Sequence, residues 1–201
     1  MTAAQGAERE IAQPSEGLIK VLSEVPRSAR WILPTWAAAF SGTDVSTLGS
    51  RLRALVLLRV AAIDRAPYWR SQLEAAAPEL GVTADELVLV NSDEWEISPG
   101  FSERERAAIL WADRVARRLA RRDKRSYETV RASFTEEEIV ELTLVASLGA
   151  MADRLTNALR IAPEEPVGLS PGETGRDAEL EAWPDRMFEA DVGRAWRETG
   201  R

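Results

Sequence analysis

Carboxylates, arginines, two lysines, tyrosines and hydroxyl groups are the chemically active side chains of this 201-residue chain, because it contains neither cysteine nor histidine. Thiolate nucleophiles, imidazole acids or bases, disulfides and ordinary zinc sites are therefore excluded. Only oxygen ligands remain for a metal ion, and no carboxylates have the spacing of a calcium loop. We expect no metal, no flavin and no other cofactor.

The first candidate residue is Arg59. Projected as a helix, residues 50–65 place it in the middle of an apolar stripe that includes Leu55, Val56 and Ile63. An unpaired guanidinium on the apolar side of a helix is costly. Arg59 therefore forms a buried ion pair with a carboxylate from another helix, or lines a pocket and binds an anion, unless this face is solvated.

A second group of candidates lies on residues 135–159, whose pattern predicts one long helix. Small and polar side chains, among them Gly149, Asp153, Arg154 and Asn157, concentrate on one half of its surface. Small residues favour close approach of another helix, whereas the polar ones suit the wall of a pocket, and the sequence leaves both interpretations open. The other half is apolar and carries Val140, Leu144, Leu148, Met151, Leu155 and Leu159.

Tyr68, Trp69 and Gln72 lie at the start of a helix that Pro67 opens. Tyr68 and Gln72 are one turn apart, which suits either hydrogen bonds to a ligand or an interface. The spacing of Trp69 with Leu73 is typical of an ordinary core residue. This helix therefore offers candidates for a site and for packing alike.

The elements that must position these groups are predicted to be helices throughout. Three predicted starts have a hydroxyl N-cap followed three residues later by Glu, namely Thr83 with Glu86, Ser102 with Glu105 and Thr135 with Glu138. The pattern predicts helices over about 15–25, 50–65, 67–81, 83–90, 102–121, 126–133 and 135–159, a kinked helical segment at 30–40 and a polar loop at 91–101. On the helix from 102, a solvated face is predicted for Arg106, Asp113 and Arg117.

Composition divides the chain into three parts. Residues 1–14 are predicted to be disordered, residues 15–162 to form one helical domain, and residues 163–201 to form a Pro/Gly-rich linker and a C-terminal strap. The strap would cover either the body of the protein or a neighbouring subunit. Its apolar residues are Leu180, Trp183, Met187, Phe188, Val192 and Trp196.

The net charge of −7 gives the chain no general attraction for nucleic acid or an anionic membrane. No targeting segment is visible, and the densest apolar stretch, 52–63, is too short to span a bilayer. We therefore predict a cytoplasmic protein whose partners are a small-molecule substrate and copies of itself, with no nucleic acid and no membrane.

Five segments in series resemble the carboxymuconolactone decarboxylase and alkylhydroperoxidase D-like superfamily. They cover residues 51–62, 65–82, 103–113, 134–142 and 154–159. The resemblance implies an all-α, alkylhydroperoxidase D-like helical bundle of about six or seven helices. It also implies a homo-oligomer, from dimer to hexamer, with a pocket near a subunit boundary.

The redox residues of the peroxidase members of that superfamily are absent from this chain. The resemblance places their two cysteines, their histidine and their relay glutamate at Ala66, Trp69, Leu73 and Ala54. A peroxidase of this type cannot work without a thiolate, so that activity is excluded. The Tyr-x-Trp-x-x-His pattern of decarboxylase-type relatives is only echoed by Tyr68 and Trp69.

Two functions are consistent with these residues. The first is a cofactor-free lyase or isomerase that decarboxylates, isomerises or cyclises a small organic acid or lactone in a biosynthetic or catabolic pathway. Arg59 or Arg154 would hold the substrate carboxylate, and Tyr68 would donate to the developing oxyanion. Asp153 or Asp64 would return a proton. The predicted substrate site also includes Trp69, Gln72 and Asn157. The second function is a catalytically silent oligomeric binding or scaffold protein.

Overall fold

The computed structural model describes residues 18–25, 27–28, 31–32, 35–36 and 47–163. Within these residues every regular element is a helix and there is no strand, which confirms the all-α prediction. Predictions for residues 1–14, for the kink around Pro34 and for residues 164–201 lie outside the described residues. Of the helices described, none is both long and apolar enough to cross a membrane.

A short helix, α1 (Leu18–Ser23), precedes six helices in the stretch 47–163. These are α2 (Ser50–Asp64), α3 (Pro67–Ala76), α4 (Ala84–Asn91), α5 (Glu103–Ala116), α6 (Lys124–Ser133) and α7 (Glu136–Ala158). A 3-10 turn, Glu94–Glu96, lies between α4 and α5 and buries Trp95 within the predicted loop. The order of the helices agrees with the predicted order.

Helix α2 is the central helix, and it is buried on all sides rather than on one. Nine consecutive residues, 53–61, are buried, and they include Arg53 and Arg59. Helices α5 and α7 pack along α2, and α3 and α4 also contact it. The expectation of a single apolar stripe on this helix is therefore wrong, because four helices cover its different faces.

Three capping boxes fix the N-termini of α4, α5 and α7, as predicted. The hydroxyl of each N-cap residue accepts a hydrogen bond from the backbone N–H three residues later. The glutamate at that later position accepts one from the N–H of the N-cap residue. Each box thus satisfies two backbone donors that the first turn leaves without a helical partner.

Arg51 of α2 connects two of these capping boxes. Its Nη2 donates to Oε1 of Glu86 at 2.7 Å, and its Nε donates to Oε1 of Glu105 at 2.7 Å. The same guanidinium donates to the carbonyl oxygen of Gly81, which has a φ of 76° in the turn before α4. One arginine therefore ties the starts of α4 and α5 to the central helix.

Helix α5 ends at Ala116, five residues before its predicted end at 121. Arg118 has a φ of 62°, in the left-handed region, which stops the helical hydrogen-bond pattern. Helix α2 ends in the same way, since Arg65 has a φ of 51° and Ala66 N–H donates to Ala61 O at 3.0 Å. Glycine is the usual residue at such positions, and its absence left the end of α5 without a recognisable signal in the sequence.

Helix α7 approaches α2 closely at Gly149. A β-carbon added to Gly149 would lie 2.9 Å from Cδ2 of Leu57 and 3.6 Å from Cγ1 of Val60. Ala146 and Ala150 are also buried. Of the two interpretations of the small residues on α7, close helix packing is the one that this contact supports.

Four of the six large apolar residues on the outer half of α7 are exposed to solvent, and the other two pack partly against the core. Val140 and Leu144 are 60% and 55% exposed, Met151 and Leu159 are also exposed, and Leu148 and Leu155 are partly buried. We call these six residues the α7 stripe. It runs along nearly the whole helix and leaves a large apolar surface facing solvent.

Candidate functional site

Four predicted site residues come together where the end of α2 meets the C-terminal half of α7. Arg154 Nε lies 3.2 Å from Oδ2 of Asp64, and Arg154 Nη2 lies 3.4 Å from Oδ1 and donates to it. Asn157 Nδ2 donates to the backbone carbonyl of Asp64 at 3.0 Å. Asp153 lies one residue before Arg154 and is close enough to Asp64 for the two carboxylates to repel. We call these four residues the Asp153 cluster.

Asp153 has the most unusual environment in this cluster. It is 2% exposed, and its Oδ2 has no hydrogen-bond partner among the described residues. Burial, and to a smaller extent the negative charge of Asp64, raise the pKa of Asp153 to about 8, against the opposing effect of the positive charge of Arg154. The carboxyl group therefore carries a proton at neutral pH, which suits a proton donor.

A depression of about 340 Å³ lies between α2 and α3. Ala61, Ala62 and Arg65 line it from the end of α2, and Ser71 and Glu74 line it from α3. Neither Asp64 nor Asp153 lines the depression, but Asp64 lies in the sequence between two residues that do, Ala62 and Arg65. The depression and the Asp153 cluster thus share the last turn of α2. In the described part of the chain, no group of three acidic residues is arranged to hold a metal ion.

Tyr68, Trp69 and Gln72 are buried in α3. The rings of Tyr68 and Trp69 meet edge to face with centroids 5.3 Å apart, and Trp36 meets Trp69 in the same way at 5.8 Å. This is aromatic core packing, the interpretation that the spacing of Trp69 favoured. A contact of these three residues with a substrate stays a prediction.

Arg59 lies apart from the Asp153 cluster, and all five of its N–H groups have acceptors within the chain. Nε and Nη2 donate to Oδ1 of Asp113 at 3.0 and 2.6 Å, and Nη2 also donates to Oδ1 of Asp93 at 2.8 Å. Nη1 donates to the carbonyls of Val90 and Ser92 at 3.2 and 2.6 Å. Of the interpretations offered for Arg59, the geometry matches the buried ion pair. No donor remains for a substrate carboxylate in this arrangement.

The predicted solvated face of α5 is wrong for Asp113, which is 2% exposed. Besides Arg59, its carboxylate accepts hydrogen bonds from Arg114 Nη1 at 2.6 Å and from Arg117 Nε at 3.1 Å. The spacing of Asp113 and Arg117 does form the expected pair along the helix. That spacing is equally typical of exposed pairs, so the sequence carried no sign that Asp113 is buried.

Arg53 is a buried charge that the sequence analysis missed. It is 5% exposed, and its Nε has no hydrogen-bond acceptor among the described residues. Burial lowers its pKa, and the nearby negative charge of Glu141 opposes that effect. Glu141 Oε2 itself accepts the N–H of Thr47 at 2.8 Å. Helix α2 therefore buries two arginines. The donors of Arg59 all have acceptors, whereas Nε of Arg53 has none among the described residues.

Solved structures of AhpD type share this fold. A protein of unknown function from Agrobacterium tumefaciens, named as an AhpD antioxidant defence candidate, is 23% identical, with 72% of this chain and 97% of that chain covered and a TM-score of 0.64. The AhpD core of an uncharacterized peroxidase-related protein from Ralstonia eutropha JMP134 is 16% identical, with 72% and 75% covered and a TM-score of 0.62. At these identities the likeness establishes the fold alone.

Residues 26–114, a little under half of the chain, match the model of the carboxymuconolactone decarboxylase family. The chain resembles the carboxymuconolactone decarboxylase and AhpD-like superfamily in this match and in its AhpD-like fold. A third similar structure is the debrominase Bmp8, a cysteine-to-alanine variant in complex with 2,3,4-tribromopyrrole. It is 18% identical, with 83% of this chain and 79% of that chain covered and a TM-score of 0.60. No curated protein matches the sequence significantly.

The chain has no thiol, since its sequence contains no cysteine. The positions to which the resemblance assigns the redox cysteines, Ala66 and Trp69, are both buried. A thiol mechanism therefore lacks its nucleophile. Catalysis by this chain's own side chains must rely on carboxyl, hydroxyl, amide, amine or guanidinium groups, and three of these types meet in the Asp153 cluster.

Proposed function

We propose that the chain is a cofactor-free lyase or isomerase that acts on a small organic acid or lactone, with Asp153 as the group that transfers protons. The observation that carries the proposal is the buried Asp153 carboxyl, whose pKa is raised to about 8 and whose Oδ2 has no hydrogen-bond partner among the described residues. Structural carboxylates are usually paired when they are buried. A buried carboxyl that is protonated near neutral pH is suited to general acid catalysis.

Decarboxylation of a β-keto acid illustrates the proposed use of this proton. The bond between the α-carbon and the carboxylate breaks, carbon dioxide leaves, and the electron pair moves into an enolate. Asp153 then gives its proton to the α-carbon, and a proton from water restores the acid. An isomerisation would instead take a proton from one carbon as the carboxylate and deliver it to another as the acid.

The neighbours of Asp153 support this proton cycle. Asp64 is held as an ion pair by Arg154, and its negative charge favours the protonated form of Asp153 between turnovers. The side chain of Arg154 is 43% exposed, so we assign to it the binding of the substrate carboxylate, with Asn157 beside it. Arg59 is assigned a structural role because its donors are all used within the chain.

The test is proton transfer to carbon in heavy water. Wild-type protein is incubated with a panel of small β-keto acids and unsaturated lactones, and deuterium incorporation and product formation are followed by nuclear magnetic resonance. General acid catalysis contributes on the order of 10²–10⁴ in rate, so Asp153→Asn should lower turnover at least about 100-fold while the circular dichroism stays unchanged. Asp85→Asn, a change at an exposed carboxylate of α4, is the matched control and should keep wild-type turnover. Equal turnover in wild type and Asp153→Asn would refute the assignment of Asp153.

A catalytically silent oligomeric binding or scaffold protein is the second candidate function. The observation that favours it is that every N–H donor of Arg59 is used within the chain. The arginine at the centre of α2 then stabilises the fold and binds no substrate. In that case wild-type protein transfers no deuterium to any member of the panel. Sedimentation would then show a multiple of the 22.2 kDa chain mass.

A further inference from the structure

The α7 stripe is an apolar surface about 28 Å long, from the 1.5 Å rise per residue between Val140 and Leu159. Its most exposed members, Val140 and Leu144, lie near the N-terminal end of the helix. Apolar surface that is contiguous and exposed usually marks a site of interaction. The stripe therefore requires an occupant.

The two ends of α7 carry opposite charges beside the stripe. Glu136 and Glu137 are exposed at its N-terminal end, and Arg154 and Arg160 are exposed at or just beyond its C-terminal end. The charges of a segment that binds along the stripe therefore determine in which direction it lies. A segment with an acidic first half and a basic second half fits only antiparallel to α7.

The sequence after α7 has this charge order. Residues 177–191 contain six carboxylates and one arginine, whereas residues 192–201 contain three arginines and one glutamate. Apart from the adjacent Met187 and Phe188, the large apolar residues between 180 and 196 recur at spacings of three and four, which is typical of one helical face. The described chain reaches Pro163, four residues after Leu159, at the basic end of α7.

We propose that residues 180–196 bind along the α7 stripe of their own chain, antiparallel to α7. In that direction the acidic part of the segment meets Arg160, and Arg194 and Arg197, at and just beyond its end, meet Glu136 and Glu137. The 16 residues from 164 to 179 reach up to about 50 Å when extended, which is more than the length of the stripe. Because the segment is tethered, its effective concentration is on the order of millimolar. At micromolar protein the chain's own segment therefore outcompetes that of a second copy.

The absence of cysteine from the chain makes a direct test straightforward. The full-length double variant Val140→Cys with Trp196→Cys places two thiols at the end of the stripe where the antiparallel arrangement brings them together. Its matched control is Val140→Cys with Leu180→Cys, whose thiols lie at opposite ends. A short bismaleimide at micromolar protein should cross-link the first pair within one chain, at least 10-fold faster than the control pair.

Non-reducing gels and mass spectrometry separate the outcomes. Cross-linked dimers would overturn the proposal in favour of a second copy on the stripe. Equal rates for the two pairs, faster reaction of the control pair or no cross-link would also overturn it. As a second measurement, Glu137→Lys should slow the cross-linking several-fold, and adding Arg197→Glu should restore it. If Glu137→Lys changes nothing, the proposed direction of binding is wrong.

Discussion

Oδ1 of Asp113 accepts hydrogen bonds from both Nε and Nη2 of Arg59, and both residues are 2% exposed. The pair joins the middle of α2 to α5 inside the core. Trp95 of the 3-10 turn lies against the guanidinium, with its ring centroid 5.5 Å from Cζ. The contact therefore fixes two helices and the loop between α4 and α5 at one point.

Removing the charge of Arg59 should lower the free energy of unfolding. Arg59→Met leaves Asp113 buried with fewer donors and removes the donor that both Val90 and Ser92 carbonyls use. Breaking a buried ion pair in this way costs about 3–5 kcal/mol, which urea unfolding will measure. The double variant Arg59→Met with Asp113→Leu should recover part of that loss. A single variant within 1 kcal/mol of wild type, at the accuracy of that method, would contradict the structural role.

The matched substitution on the same helix should have the opposite effect. Arg53→Met removes a buried guanidinium whose Nε has no acceptor among the described residues. Relief of that desolvation should raise the free energy of unfolding by about 1–2 kcal/mol. Urea unfolding beside Arg59→Met gives the comparison. A loss as large as that of Arg59→Met would show instead that Arg53 has a partner of equal strength.

The proton on Asp153 should make stability fall as pH rises. The pKa is about 8 in the folded state against 3.8 for the ordinary group, so between these values the folded state binds a proton that the unfolded state does not. Unfolding then releases a proton, and stability decreases by up to about 1.4 kcal/mol per pH unit until the penalty is complete above about pH 8. Asp153→Asn should remove this slope and be the more stable protein at pH 9. Identical slopes in thermal melts from pH 5 to 9 would rule out the buried acid.

Acid should weaken the contacts of Arg51. The hydrogen bond from Arg51 is the main cause that holds the pKa of Glu86 at about 2, below its ordinary 4.5. The stabilisation that the ion pair of Arg51 and Glu86 adds to the folded state is complete above the ordinary pKa of the glutamate. It is lost as the pH falls from about 4.5 toward 2. Glu86→Gln should therefore flatten the acid side of the stability profile, whereas Glu128→Gln, a change on the exposed face of α6, should not. Denaturant unfolding at pH 2.5, 4 and 6 checks this, and two parallel profiles would argue against the bridge.

The close approach of α7 to α2 predicts a steric limit at Gly149. Gly149→Val would place a branched side chain against Leu57 and Val60, and such overpacking costs about 1–3 kcal/mol. Gly49→Ser is the control, because no atom lies within 4 Å of an added β-carbon there and serine is favoured at the N-cap. Thermal melts should separate the two. If both variants have the same melting temperature, α2 and α7 are able to move apart without loss of stability, and the steric limit is absent.

The sequence predicted the parts of the fold that depend on neighbouring residues. The capping boxes at Thr83, Ser102 and Thr135 were correct because each box needs only four consecutive residues. Burial of α2 on all sides was not predictable from its own pattern, because Arg53 resembles a solvated position until other helices cover it.

The candidate site was also predictable from the sequence only in part. Asp153, Arg154 and Asn157 were predictable as a group because one helix carries them. Their contacts with Asp64 join residues about 90 positions apart, and such a contact has no local signature in the sequence. The raised pKa of Asp153 arises from burial and from Asp64, so it follows only from the assembled fold.

The burial of α2 on all sides also affects the protein during its synthesis. The last residue of α7 follows the last residue of α2 by 94 positions. At about 5–20 residues per second, a ribosome completes α7 roughly 5–20 s after α2. Throughout that interval the apolar residues of the central helix lack their final cover, so nascent chains stalled between these two helices should bind chaperones more strongly than chains released at full length.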